Sequence, residues 1–139
     1  MSVLVIDASI VLAVILPDEN NERANSAMEI VALHGAWAPL HWPLEIANGL
    51  LVAQRRRRLD RSLRSGALRD LAALSIEVDD TTNERAWNVI SNLADRNGLT
   101  AYDAAYLELA IRMHLPLATL DGDLAEAALA EKVPVFGEP

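Results

Sequence analysis

Apolar residues along this chain fall in short runs whose period changes from segment to segment, and that pattern predicts the elements. Val3-Leu4-Val5-Ile6 is the β-branched-rich run expected of a strand buried on both faces. Ala8 to Leu16 is apolar throughout and stops at Pro17, which predicts a buried helix ended by a proline. A polar, acidic turn leads to a helix from about Asn21 to Leu33, closed by Gly35, and Ala36-Trp37-Ala38 reads as a short second strand. Pro43 suits the first turn of a helix with Leu44, Ile46, Ala47, Leu50 and Leu51 on its apolar face. Leu59, Leu63, Leu71 and Leu74 stripe another, from about Asp60 to Leu74, before a third strand at Ile76-Glu77-Val78. Ala86, Trp87, Ile90, Leu93 and Ala94 show three-and-four spacing and predict a helix ending near Gly98. Asp103 to His114 is the next helix. A fourth strand at Leu117 to Leu120, a short helix at Leu124 to Ala130 and a last strand at Val133 to Phe136 complete the order.

Strands alternating with helices predict an α/β fold, a mainly parallel sheet of about five strands with helices on both faces. The 139 residues read as one domain from end to end, with no repeat, linker or low-complexity tract. A hydrophobic fraction of 52% and a charged fraction of 23% are those of an ordinary globular protein. The chain has no cysteine, which excludes disulfides and thiolate metal sites. The opening apolar stretch is too short to span a bilayer and lacks the features of a signal peptide, so a cytoplasmic protein without membrane attachment is expected. A net charge of −8 argues against general affinity for nucleic acid unless local charge is arranged otherwise.

Candidate chemistry begins at Asp7, where a buried strand turns directly into a buried helix. An ionised carboxylate there is costly unless the helix N-terminus accepts it as a cap or a cation neutralises it. Three more acids share the predicted edge. Asp121 follows the fourth strand, Glu45 lies in the first turn after the second strand, and Asp103 opens the helix leading to the fourth. In a parallel sheet that edge, beyond the carboxyl ends of the strands, is where ligands bind. Each acid also has a local reading: Glu45 complements a helix dipole, Thr100-x-x-Asp103 fits a capping box, and Asp121-Gly122-Asp123 fits a capping turn. Those readings do not explain why all four gather. Carboxylates held close together repel and rise in pKa unless a cation joins them, and an all-oxygen donor set suits Mg²⁺ or Mn²⁺. Metal-dependent phosphodiester hydrolysis is the chemistry they suggest.

Four segments, Val5-Ile6-Asp7-Ala8-Ser9, Pro43-Leu44-Glu45-Ile46-Ala47-Asn48, Leu99-Thr100-Ala101-Tyr102-Asp103-Ala104-Ala105-Tyr106-Leu107 and Ala118-Thr119-Leu120-Asp121-Gly122-Asp123, resemble in order the motifs of PIN-domain ribonucleases. The likeness is to VapC toxins of toxin–antitoxin pairs. It implies that Asp7, Glu45, Asp103 and Asp121 are the catalytic, metal-binding acids, with Asp123 a further ligand. It implies that Ser9 and Thr119 support the site and that Asn48 orients Glu45. It also implies endonucleolytic cutting of RNA, with tRNA or ribosomal RNA as targets, a homodimer, and a partner antitoxin that holds the enzyme inactive.

Arg55, Arg56, Arg57, Arg58, Arg61, Arg64 and Arg69 concentrate seven of the twelve basic residues in one stretch. They read either as a solvated helix end or as an edge that grips RNA beside the metal site, with Arg55 to Arg58 and Arg61 as the contacts. His34, His41 and His114 show no metal-ligand spacing; only His41, four before Glu45, falls near a candidate acid. Trp37, Trp42, Trp87, Tyr102 and Tyr106 read as core or dimer contacts. Two other classes share some features: a phospho-acceptor signalling domain, for which Lys132 stands at the wrong end, and a non-catalytic module whose acidic pocket captures a basic peptide. DNA cleavage is a further enzymatic alternative.

Overall fold

The computed structural model describes residues 3–138. Among these residues four strands, β1 (Val5–Ile6), β2 (Ala36–Ala38), β3 (Ile76–Val78) and β4 (Leu117–Ala118), form one sheet. Its order is β3-β2-β1-β4 with every neighbouring pair parallel, Val5 standing between Trp37 and Leu117. The expected fifth strand is reduced to a single parallel bridge between Leu117 and Val135. Leu117 N–H donates to Pro134 O and Phe136 N–H to Leu117 O, but Pro134 has no N–H of its own to extend the ladder. Gly137, at φ 83°, then turns the chain aside.

Among the described residues, seven α-helices join the strands: α1 (Ala8–Ile15), α2 (Glu22–His34), α3 (Trp42–Arg55), α4 (Arg61–Ala72), α5 (Ser91–Asn97), α6 (Ala101–Met113) and α7 (Gly122–Ala130). Crossovers run β1 to β2 to β3 in one direction and then return past β1 to β4; with the right-handed connections such units adopt, the two sets of helices cover opposite faces. Accordingly α1 packs on α2 and α3, with α4 against α3, while α6 packs on β1, β4, α5 and α7. The reversal makes the gap between β1 and β4 the topological switch point.

The core follows the apolar runs. Leu4, Val5, Ile6, Ile10 and Val11 are buried together with Tyr106, Leu107, Leu109 and Leu117. Every residue from Ala104 to Ala110 is buried, so α6 is apolar nearly all round and small alanines let its neighbours approach. Trp42 and Tyr106 are core residues, but Trp87, at 98% exposed, and Tyr102, at 68%, are not. The helix expected from Ala86 begins instead as a 3₁₀ turn at Thr82–Arg85 and a π turn at Ala86–Ile90. That widened turn breaks the three-and-four spacing and leaves Trp87 in solvent. No helix among the described residues is long and apolar enough to cross a membrane.

Candidate metal centre and active site

Asp7 leaves β1 at the switch point and occupies the N-cap position of α1, yet its side chain caps no backbone N–H. Its Oδ2 instead accepts hydrogen bonds from Ser9 Oγ at 2.7 Å and Thr119 Oγ1 at 2.6 Å. Those hydroxyls lock the two strand ends together. Ser9 Oγ accepts from Leu120 N–H, and Thr119 Oγ1 accepts from Asp121 N–H, each at 3.0 Å. Asp7 is only 5% exposed, and burial pushes its pKa up to about 6; the two hydroxyls oppose the rise, and the charges of Glu45 and Asp103 add to it.

Glu45 comes from the first turn of α3, which Pro43 helps to start. Its Oε1 accepts a 2.7 Å hydrogen bond from the Tyr106 hydroxyl on α6. His41 Nε2 lies 3.0 Å from the same oxygen. Burial works against the Glu45 charge; His41 and Tyr106 outweigh it and hold the carboxyl below its ordinary pKa. The Tyr106 hydroxyl, buried and facing acids, is pushed far above its usual value and remains a donor. Asp103 sits in the first turn of α6, whose N-cap Thr100 accepts from Asp103 N–H at 3.1 Å. Burial first, then the charges of Asp121 and Glu45, raise its pKa. Asp121 caps α7 as its turn sequence predicts, Oδ1 accepting from Asp123 N–H and Leu124 N–H.

The structure thus brings Asp7, Glu45, Asp103 and Asp121 to one edge, with Ser9 and Thr119 beneath Asp7. Among the described residues, no three carboxylate or imidazole groups stand close enough to enclose an ion as their side chains lie. The expected supports of the acids are partly different ones. Asn48 is exposed and makes no hydrogen bond with Glu45; Tyr106 and His41 hold that acid. Asp123 is exposed beside Arg96 and Asn97 and is not among the charges that raise Asp7 or Asp103. The arginine run does not sit beside the acids within one chain. Arg55 ends α3 ten residues after Glu45, about 15 Å along the helix axis. Arg58 is engaged there by Asp18, through two 2.9 Å hydrogen bonds.

Sequence reasoning passed over two features of this edge. Tyr106 follows Asp103 by three residues, a spacing that places them on one side of α6, but an aromatic in an apolar run reads as core. Asp79, just past the carboxyl end of β3, is buried and joins Arg112 and Glu108 of α6. Arg112 outweighs the cost of burial and keeps Asp79 below the usual carboxylate range.

Residues 4–129 match the PIN domain family. The chain belongs to that family. Ribonuclease VapC3 of Pyrobaculum aerophilum is 33% identical over 124 residues, covering 88% of this chain and 92% of that protein. Ribonuclease VapC9 of Mycobacterium tuberculosis is 30% identical over 130 residues, 92% of this chain and 93% of its own. The fold is shared with the crystal structure of PAE2754 from Pyrobaculum aerophilum, TM-score 0.67 at 23% identity over 91% of this chain and 79% of that one. It is shared also with FitAcB from Neisseria gonorrhoeae, TM-score 0.58 at 18% identity over 96% of each chain. PIN-domain ribonucleases depend on a divalent metal. The donor set here fits one: hard oxygens only, with two acids raised by burial and by the negative charge around them, a cost that a cation removes.

Proposed function

We propose that this chain is the endoribonuclease toxin of a toxin–antitoxin pair, cutting RNA at a site built by Asp7, Glu45, Asp103 and Asp121, with Mg²⁺ or Mn²⁺ as the ion. The observation that carries this reading is that Asp7 stands at a helix start, caps nothing, and is held by two hydroxyls among other acids. A structural aspartate would use its helix. When bound, the ion supplies Lewis acidity toward a phosphodiester oxygen and acidifies a water. The chain's own part is positional. Ser9 and Thr119 fix the Asp7 carboxylate from below, Tyr106 and His41 fix Glu45 from the side, and Asp121 is held by the first turn of α7. The Ser9 and Thr119 hydroxyls are taken up in holding Asp7, and the proposed attacking group is a water, delivered in line to the phosphorus.

The relatives' names support RNA as substrate and an antitoxin as partner. An apolar groove of about 660 Å³ suits such a partner; it runs between α1, α2 and α4 and is lined by Val14, Ile15, Met28, Leu63 and Leu71. No residue of α4 is fully buried; Leu68 and Leu71 pack partly on the core, while Leu63 is exposed and available to an amphipathic segment of the antitoxin. Trp87 and Val89, both exposed, support a homodimer.

Incubation with RNA and Mn²⁺, with EDTA as control, is the direct test. Cleavage should leave 5′-phosphate and 3′-hydroxyl ends, and Asp7→Asn should lower the rate by about 100-fold or more. Cyclic 2′,3′-phosphate ends, or wild-type rates in Asp7→Asn, would overturn the reading.

A further inference from the structure

Beside the acids lies a small cavity of about 170 Å³, lined by His41, Asn83, Ala86, Ile90, Tyr102 and Ala105. It shares a wall with the candidate active site. His41 touches Glu45 on one side, and its ring lies 5.7 Å from that of Tyr102 on the other. Tyr102 precedes Asp103 directly, lines the cavity and is 68% exposed, so its side chain is accessible to a ligand there. The π turn Ala86–Ile90 forms the opposite wall, a distortion that recurs at functional sites. His41 Nε2 faces Glu45 at 3.0 Å, and Asn83 is exposed with an amide able to donate and accept.

Size and lining select the ligand. The cavity is smaller than the roughly 300–1,000 Å³ of sites for drug-sized molecules and suits one flat ring system. The rings of Tyr102 and His41 offer stacking, while the Asn83 amide offers edge hydrogen bonds. Because Tyr102 adjoins Asp103 and His41 touches Glu45, this wall is next to two of the acids that would hold the phosphodiester.

We propose that this cavity is a base-reading subsite, taking an unpaired nucleobase next to the scissile phosphate, with Tyr102 as its stacking platform and Asn83 as its edge reader. The proposal rests on the RNA-cleaving reading above. It favours single-stranded or looped RNA, because a paired base must first be unstacked to enter. Exposed aromatic surface is also what a subunit contact offers, but the Asn83 amide in the lining and the wall shared with the acids favour the base.

The test separates binding from cutting. A short single-stranded RNA carrying 2-aminopurine is titrated with wild-type protein in EDTA, and the quench of its fluorescence reports stacking. Tyr102→Ala should weaken the quench-detected affinity about tenfold, whereas Tyr102→Phe should keep it. With Mn²⁺, sequencing of product ends should show a base preference beside the cut that Asn83→Ala relaxes. Cleavage that keeps its rate and base preference in both Tyr102→Ala and Asn83→Ala overturns the subsite and leaves the nuclease standing. Absence of any Mn²⁺-dependent cleavage by wild type instead overturns the nuclease reading. A sedimentation mass that falls in Tyr102→Ala makes the patch a subunit contact and overturns the base-reading role.

Discussion

Asp7 carries the clearest consequence at the scale of a single residue. An aspartate titrates near 3.9 in the unfolded chain and near about 6 here, because it is buried among other acids. Between those values the folded state binds more protons than the unfolded one, so this group's contribution to stability falls as pH rises through that window. The loss is on the order of 2–3 kcal/mol. Asp103 is shifted in the same direction. The metal-free protein is therefore expected to unfold at lower denaturant at pH 7 than at pH 5, and Asp7→Asn should remove most of that difference. At pH 7 Mn²⁺ should raise the wild-type midpoint and leave Asp7→Asn nearly unmoved. Equal wild-type midpoints at the two pH values, measured by urea titration, would contradict the burial argument. The position of Asp7 and its hydroxyl neighbour Ser9 can be read in one short stretch of chain. That Thr119, far along the chain, supplies the second hydroxyl depends on β4 pairing beside β1.

Among the elements, α6 matters most, since it delivers Asp103 and Tyr106 to the site. Its far end is anchored by Arg112, which donates to Asp79 beyond β3 and to Glu108 on its own helix, with Arg85 3.6 Å from Glu108. Asp79 and Glu108 are both buried, so removing Arg112 leaves two acids without their main partner. Arg112→Leu should destabilise the fold by about 3–5 kcal/mol, read from urea unfolding. The exposed Arg58–Asp18 and Arg96–Glu131 pairs should each matter by less than about 1 kcal/mol. A loss as small at Arg112 would mean that water replaces the guanidinium at no cost.

For the whole molecule, charge sets the problem: a chain of net charge −8 must hold a polyanion. Arg55, Arg56, Arg57 and Arg61 are exposed together at the end of the molecule away from the acids. They suit phosphates of a long RNA rather than the scissile one. Arg58 is already engaged by Asp18. Replacing Arg55, Arg56 and Arg57 by Ser should weaken RNA binding and flatten its salt dependence, by about 0.7 in log–log slope for each phosphate no longer neutralised. An unchanged slope from binding titrations between low and moderate salt would remove this patch from the RNA path.

Local pattern was enough for much of this protein. β2 and β3 fall on the residues their apolar runs mark, and the helices stop at Gly35 and Gly98 because those backbones need positive φ. The acids at strand ends and helix starts follow from the same periodicity, which is a property of neighbouring residues. What periodicity cannot carry is distance across the fold. Sheet order made β1 and β4 adjacent and so joined Asp7 to Thr119. The approach of the first turn of α3 to α6 gave Glu45 to Tyr106 instead of Asn48, and the length of α3 took the arginines away from the acids. A proline in its last segment reduced the fifth strand to one bridge. Each of these turns on which elements meet in space, and contacts between distant segments are decided by how whole elements pack.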